Sequence, residues 1–355
     1  MAQSLHWSGL PPEILQTLRA GAVIPAHPLA LDSNREFDRV SQRALSRYYI
    51  DAGAGGLAVG VHTTQFAIRE VGLHRPVLEL AAETASAWAR RPLMMVAGAI
   101  GRTEQAVAEA QTARSLGYHA VLLSLAAMKD ASEDELIAHC AAVAAEMPLV
   151  GFYLQLAVGG IALSRAFWTR FAAIDNVIAI KVAPFNRYAT LDVAFGIVAA
   201  GAEDRVTLYT GNDDHIVADL VTPFAVRTQG RESIVQFKGG LLGHWSVWVK
   251  SAVTLLQRLQ AAVRAGPILP EILALDSFVT DCNSVGFDVS NNFAGCIAGC
   301  HEILRRQGLM TSIHCLDRNE TLSPGQADGI DRLYATYPEW HDDEFVATNL
   351  QRWRG

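Results

Sequence analysis

Lysine is scarce in this sequence, and basic residues are outnumbered. Twenty-nine lysines and arginines face 36 aspartates and glutamates, for a net charge of −7. That balance argues against nucleic acid or an anionic membrane as partner. No uninterrupted apolar run is long enough to span a bilayer. The stretch Met1–Trp7 has neither the basic region nor the apolar core of a secretory signal. There are five cysteines, an odd number, set mostly in apolar helical patterns. Reduced thiols and a cytoplasmic location are therefore expected. No Gly-x-Gly-x-x-Gly follows the first predicted strand, which speaks against a dinucleotide-binding fold. A phosphate-gripping Gly-x-x-x-x-Gly-Lys-Ser/Thr is missing too, as is any Ser-His-Asp or Cys-His nucleophile signature. No domain linker or low-complexity segment breaks the chain.

Apolar residues make up half of the 355, enough for a large core. Short apolar runs bounded by turn and helix signals read as strands. They are Ala22–Ala26, Gly56–Gly60, Leu93–Gly98, Ala120–Ser124, Leu149–Tyr153, Val177–Lys181, Val206–Thr210 and Ser233–Phe237. Their starts are 34, 37, 27, 29, 28, 29 and 27 residues apart, and nearly every gap holds a helical pattern. Asp38–Ala52 is amphipathic, and Thr103 is placed to cap a helix running to Ser115. Eight strand–helix beats of this length predict an α/β fold, a (β/α)8 TIM barrel. The barrel spans 1–265 and includes a leader helix opening at Pro11–Glu13. Gly243–Arg264 reads as the last barrel helix, broken by Pro267–Pro270. Residues 266–355 form a C-terminal helical extension, with helices at Glu271–Val279, Asn291–Gln307 and Gln326–Tyr337. Gly308 stops the middle one, and the tail from Glu339 is a packing arm.

In such a barrel the active site lies at the C-terminal strand ends. Those ends carry His27, His62–Thr64, Gly98, Ser124, Tyr153, Lys181, Gly211–Asp213 and Lys238–Gly240. Tyr153 and Lys181 are 28 residues apart, one strand–helix–strand step, so both emerge at the same end of a parallel sheet. A lysine there should lose hydration, its pKa should fall, and the neutral amine can attack a carbonyl. The plainer alternative is a lysine that snorkels to solvent. Thr63 and Thr64 suit a carboxylate or simply a capping turn. Cys296, Cys300 and His301 with His314 and Cys315 can be drawn as a metal site. The i, i+4 cysteines share an apolar helix face with Phe293, Ile297 and Leu304, however, and read as buried thiols. Asp213–Asp214 reads as a helix N-terminus and Asp342–Glu344 as a solvated turn.

These residues together resemble the dihydrodipicolinate synthase / N-acetylneuraminate lyase family of Schiff-base barrels, from about Gly21 to Gly308. The likeness rests on Gly21–Pro25 with Asp38, on Ala58–Thr64, on Arg91–Gly98 with Thr103, and on Phe152–Tyr153 with Ile180–Lys181. The resemblance implies that Lys181 forms an imine with pyruvate or another 2-oxo acid, with no metal or other cofactor. It implies that Tyr153 shuttles the proton, and that Thr63 and Thr64 hold the carboxylate and hydrogen-bond Tyr153. Gly211 is implied to offer backbone contacts to a second substrate. Four features depart from the family pattern. Gln65–Phe66 follows the threonines in place of Gly-Glu, and His62 precedes them in place of glycine. Ser124–Met128 replaces the Tyr-Tyr element, and the run Leu154–Gly160 after Tyr153 holds no basic residue. The expected function is a lyase or aldolase, or a dehydratase of a 2-keto-3-deoxy sugar acid, and not dihydrodipicolinate synthase itself. A possible aldehyde co-substrate would meet His27, His62, Asn212, Lys238, His244 or Trp245. The family implies a homo-oligomer, a dimer or tetramer. The alternative is a ligand-binding barrel that keeps the lysine without catalysis.

Overall fold

The strand runs are built of Val, Ile, Leu, Met and Ala, which suit a sheet covered on both faces. In the computed structural model, which describes residues 4–228 and 230–355, eight of them form one parallel sheet. The first seven are β1 (Val23–Pro25), β2 (Gly56–Val59), β3 (Met94–Ala99), β4 (Ala120–Leu123), β5 (Leu149–Leu154), β6 (Val177–Ala183) and β7 (Thr207–Thr210). Next come β8 (Phe224–Thr228) and β9 (Arg231–Val235), an antiparallel hairpin outside the sheet. The eighth barrel strand is β10 (Phe237–Leu242). Strand order is β1-β10-β7-β6-β5-β4-β3-β2. A parallel bridge between Ala26 and Ala58 closes the ring from β1 to β2. The fold is an α/β TIM barrel.

The expected eighth strand, Ser233–Phe237, is thus corrected. Most of that run pairs with Phe224–Thr228, and the barrel strand begins at Phe237. Lys238–Gly240 then lies near the start of β10 rather than at its C-terminal end.

Eight helices accompany the strands: α1 (Pro12–Ala20), α2 (Arg39–Ala52), α3 (His74–Trp88), α4 (Thr103–Ser115), α5 (Glu133–Ala144), α6 (Arg165–Ala172), α7 (Arg187–Ala199) and α8 (Ile216–Val221). The last barrel helix is α9 (Val249–Ala265). Local chemistry explains several ends. Asp38 caps α2 by accepting from Val40 N–H and Ser41 N–H, and Gly53 closes it in the left-handed conformation. Ser132 and Glu135 form a capping box on α5. Thr103 starts α4 as its first residue, and no side chain caps that helix.

Side chains alternate across each strand, so the core has two parts. One set faces the surrounding helices. The other fills the lumen, including Ile24, Met94, Val96, Leu122, Val150 and Phe152. Leu10, Ile14 and Leu18 join the lumen set, so α1 plugs the N-terminal mouth. Tyr209 anchors that plug, donating to Leu18 O and accepting from Ala22 N–H.

Beyond α9 the chain continues as α10 (Pro270–Leu273), α11 (Leu275–Gly286), α12 (Cys296–Arg306), α13 (Gln326–Thr336) and α14 (Asp343–Arg354). The expected helix Asn291–Gln307 starts later, at Cys296. Asp288, Asn292 and Phe293 all carry positive φ, which breaks the helical path. Helix α14 lies against α2. Trp353 Nε1 donates to Asp51 Oδ2 at 2.6 Å, and Arg47 donates to Trp353 O. Asp342, expected in a solvated turn, is buried instead. It accepts from Tyr48 Oη, Lys250 N–H and Gln307 Nε2. All five cysteines are buried and unpaired. No helix among the described residues is long and apolar enough to cross a membrane.

Candidate active site

Strand register decides which side chains share the lumen. In the β5–β6 pair, Phe152 stands opposite Lys181 and Tyr153 opposite Val182. Lys181 falls on the inner face with Ala179 and Ala183. It is 7% exposed, and its Nζ lies 4.4 Å from the centre of the Phe152 ring. No carboxylate oxygen among the described residues lies within 4.0 Å of this amine. Burial lowers its pKa from 10.5 to about 8, opposed by Asp213 and Cys296.

Tyr153, expected beside this amine, is on the other face of β5. Its ring packs on Trp168 of α6, 5.1 Å between centres, and its hydroxyl donates to Leu163 O. The hydroxyl also accepts from Leu163 N–H. The inner position next to Lys181 belongs to Phe152, which has no proton to move.

After β2 the chain makes a 3-10 turn, His62–Thr64. Thr63 and His62 line the cavity above Lys181. The Thr64 hydroxyl is spent on backbone. It donates to His27 O at 2.6 Å and accepts from Gly60 N–H and Val61 N–H. Thr63 Oγ1 donates to Ala26 O at 2.8 Å. Neither hydroxyl meets Tyr153. The N–H groups of His62 and Thr63 open the turn and have no carbonyl partner among the described residues. Burial and the Lys181 charge lower the His62 imidazole to about 4, so it is neutral at pH 7.

The loop after β7 supplies a residue that the sequence assigns to a helix N-terminus. Asp213 lines the cavity and is 5% exposed. Its Oδ1 accepts from His244 N–H at 3.0 Å. Burial raises its carboxyl to about 7, against the pull of His244 N–H and Lys181. Helix α8 starts only at Ile216, so Asp213 is not its cap. Gly211 sits against the lysine stem. A Cβ there would lie 2.8 Å from Lys181 Cε and 2.8 Å from Ala183 Cβ. Asn212 is buried away from the cavity. It accepts from Phe185 N–H and donates to Thr190 Oγ1 and Asp219 Oδ2.

The remaining candidates lie elsewhere. His27 is buried against α2, hydrogen-bonded to Ser46 Oγ. Ser124 is buried outside the cavity lining, with Oγ accepting from Ala126 N–H. The His244 ring meets Trp248 edge-on, and Trp245 packs over Gly240. Lys238 is exposed beside Arg19 at the opposite mouth.

The cavity is partly open to solvent. Leu154, Gln155 and Val158 form one wall. Phe185, Phe287 and Phe293 form the roof. Phe185 and Phe293 meet edge to face at 5.9 Å, and both have left-handed backbones, φ +51° and +66°. That conformation costs a bulky residue on the order of 1–3 kcal/mol. Gly243 makes room for Phe287; a Cβ there would be 2.4 Å from the ring. Cys296 reaches the cavity, its thiol pKa raised by burial. No group of three or more His, Cys, Asp or Glu suited to a metal occurs among the described residues.

Comparison with known proteins agrees with this architecture. A sequence model described as the dihydrodipicolinate synthetase family matches residues 19–223. A dihydrodipicolinate synthase from Oceanobacillus iheyensis superposes with TM-score 0.73 at 15% identity, covering 92% of this chain and 99% of that one. An N-acetylneuraminate lyase from Fusobacterium nucleatum gives 0.70 at 14%, covering 91% and 99%. A prophage protein of the dihydrodipicolinic acid synthase family from E. coli K12, solved with pyruvate, gives 0.71 at 17%, covering 90% and 98%. At these identities the solved structures speak for the fold. No curated protein matches the chain.

Proposed function

This chain belongs to the dihydrodipicolinate synthetase family, and on that footing we propose that it is a Schiff-base lyase acting on pyruvate or another 2-oxo acid. One observation carries the reading. Of the chain's four lysines, Lys181 alone lines the cavity at the C-terminal strand ends, and it does so buried and with no carboxylate among the described residues within 4.0 Å. A lysine held that way exposes a neutral amine to a carbonyl at ordinary pH.

The steps follow from the groups present. The Lys181 amine adds to C2 of the 2-oxo acid, and the carbonyl oxygen leaves as water. The resulting iminium draws electrons from C3, so a C3–H or C3–C4 bond can break to an enamine. The free N–H groups of His62 and Thr63 are suited to the substrate carboxylate. The proton carrier is Asp213. Its carboxyl sits near neutrality in the same cavity, the range a general acid–base needs at pH 7. Tyr153 takes no part. Apart from Lys181, no lysine or arginine lines the cavity, which weighs against an anionic aldehyde and so against dihydrodipicolinate synthesis.

The test is reduction with borohydride in the presence of pyruvate, followed by intact mass and peptide mapping, with Lys181→Ala as control. A pyruvyl adduct on Lys181, absent from the variant, supports the lyase. No adduct with pyruvate or longer 2-oxo acids refutes it. A second reading, a ligand-binding barrel, draws on Phe152 standing where a proton-carrying side chain would be expected. Ligand binding that survives Lys181→Ala, without any adduct in the native protein, would favour it.

A further inference from the structure

The roof of the cavity is aromatic, and its construction is specific. Three phenylalanines cover the amine from two distant parts of the chain: Phe185 from the loop after β6, Phe287 and Phe293 from the segment between α11 and α12. With Phe152 beneath them, the space beyond Lys181 is faced by four benzyl groups. Two of those groups are held by left-handed backbones that bulky residues rarely adopt. Each such turn is fixed by hydrogen bonds: Phe185 N–H donates to Asn212 Oδ1 at 3.0 Å, and Phe293 N–H donates to Asp288 O at 3.0 Å. Both Phe185 and Phe293 remain part-exposed to the opening. Strain kept at a ligand-facing position points to selection for what the side chain touches.

The polar groups lie at one side. Lys181, Asp213, Thr63 and His62 surround the place of the 2-oxo acid. On the wall beside the phenylalanines only Gln155 is polar, between Leu154 and Val158. A polyhydroxylated aldehyde would leave its hydroxyls without partners there, which is costly. An anionic aldehyde would find no counter-charge.

We infer that the second substrate is an apolar aldehyde bearing an aryl or similarly sized hydrocarbon group. This rests on the lyase reading and names the partner class of the same site. In the condensing direction, the Lys181–pyruvate imine gives up a C3 proton to become the enamine. C3 then bonds to the aldehyde carbon, and the aldehyde oxygen takes a proton. Water hydrolyses the imine, returning the amine and releasing a 4-hydroxy-2-oxo acid with the aryl group on C4. Pyruvate and aldehyde account for every atom of the product. Edge-to-face and offset stacking against Phe185 and Phe293 would orient the aryl ring.

The experiment uses the full chain with pyruvate and three aldehydes: benzaldehyde, glyceraldehyde and glyoxylate. The coupled 4-hydroxy-2-oxo acid is quantified for each. Benzaldehyde should exceed both others in kcat/KM by about 100-fold, the discrimination a fitted apolar pocket gives. Either of the others within threefold of benzaldehyde overturns the inference. Phe293→Asn keeps a residue that tolerates the left-handed backbone and removes the ring. It should cut the benzaldehyde-to-glyceraldehyde ratio at least tenfold, and Phe185→Asn should do the same. An unchanged ratio in both variants also overturns it. Binding of benzaldehyde and glyceraldehyde to Lys181→Ala, followed by tryptophan fluorescence, reads the roof without the imine. Saturable benzaldehyde binding there is expected even if pyruvate trapping fails, in which case the lyase reading falls alone. Trapping without aryl preference overturns the aryl assignment alone. No benzaldehyde binding and no turnover overturns the assignment as well.

Discussion

Replacing Gly211 with alanine tests whether the Lys181 amine is held by the loop after β7. The new methyl would arrive 2.8 Å from Lys181 Cε, 3.1 Å from Lys181 Cγ and 2.8 Å from Ala183 Cβ. Carbon atoms rest at about 3.5 Å or more, so the groups must separate by roughly 0.7 Å. The lysine stem can swing, but Ala183 is fixed in β6. Gly211 itself is tied to that strand, its N–H donating to Val182 O at 2.8 Å. The strain therefore divides between a displaced amine and a shifted loop. Overpacking of this kind costs about 1–3 kcal/mol of stability. A shift approaching 1 Å at a reacting atom costs up to about 100-fold in rate. Gly211→Ala should thus lower the denaturant midpoint modestly and slow pyruvate trapping by about 10- to 100-fold. Trapping is followed by mass spectrometry under cyanoborohydride, and folding by circular dichroism. A folded variant that traps pyruvate within twofold of the native rate would refute the reasoning.

Other perturbations separate the roles of single residues. Tyr153→Phe should leave pyruvate trapping unchanged and cost about 1 kcal/mol or less, the worth of its hydrogen bond to Leu163; a large rate loss would return the phenol to the site. Asp213→Asn removes a charge that favours the ammonium of Lys181. The pH at which trapping reaches half its maximum should move below the native value, and the maximum should fall about 100-fold; a shift to higher pH would count against that charge effect. His27, His244 and His301 are buried, and burial lowers each to about 4. Between pH 6.5 and 4 the unfolded chain binds protons that the folded chain refuses, so stability falls with falling pH. Each histidine contributes about 1.4 kcal/mol per pH unit in that window. Urea midpoints should therefore drop steeply below pH 6.5, and a flat profile down to pH 4.5 would contradict the burial.

The barrel was legible because its strands repeat at a steady interval and are apolar on both faces. The eighth strand was misplaced for a definite reason. Ile234 and Val235 look more strand-like than Lys238–Gly240, yet the former sit in a hairpin and the glycines sit in the barrel. Glycine is accepted there because Ala22, Tyr209 and Trp245 press on the backbone. Lys181 was legible as a polar residue ending an apolar strand. Tyr153 ends its predicted strand one strand–helix–strand step from Lys181, and that spacing does not say which face a residue takes. A one-residue offset reverses the face, and Val150, Phe152 and Leu154 are the inward set. Asp213 was hidden because a carboxylate before a helix usually caps it. Only the path of the loop, with His244 N–H across from it, shows that this one turns into the cavity.

Two of the three roof phenylalanines come from a different stretch of chain than Lys181. Lys181 rides on β6, whose register the whole barrel enforces, and Asp213 on the loop after β7, while Phe287 and Phe293 ride on a short connection between two outer helices. Substitutions in that connection can alter what the cavity accepts without disturbing the strand that carries the amine. The protein is therefore built so that appetite can drift while reactivity stays put. Insertions or exchanges between residues 287 and 295 are the natural place to look for relatives with other tastes, and the natural place to begin redesign.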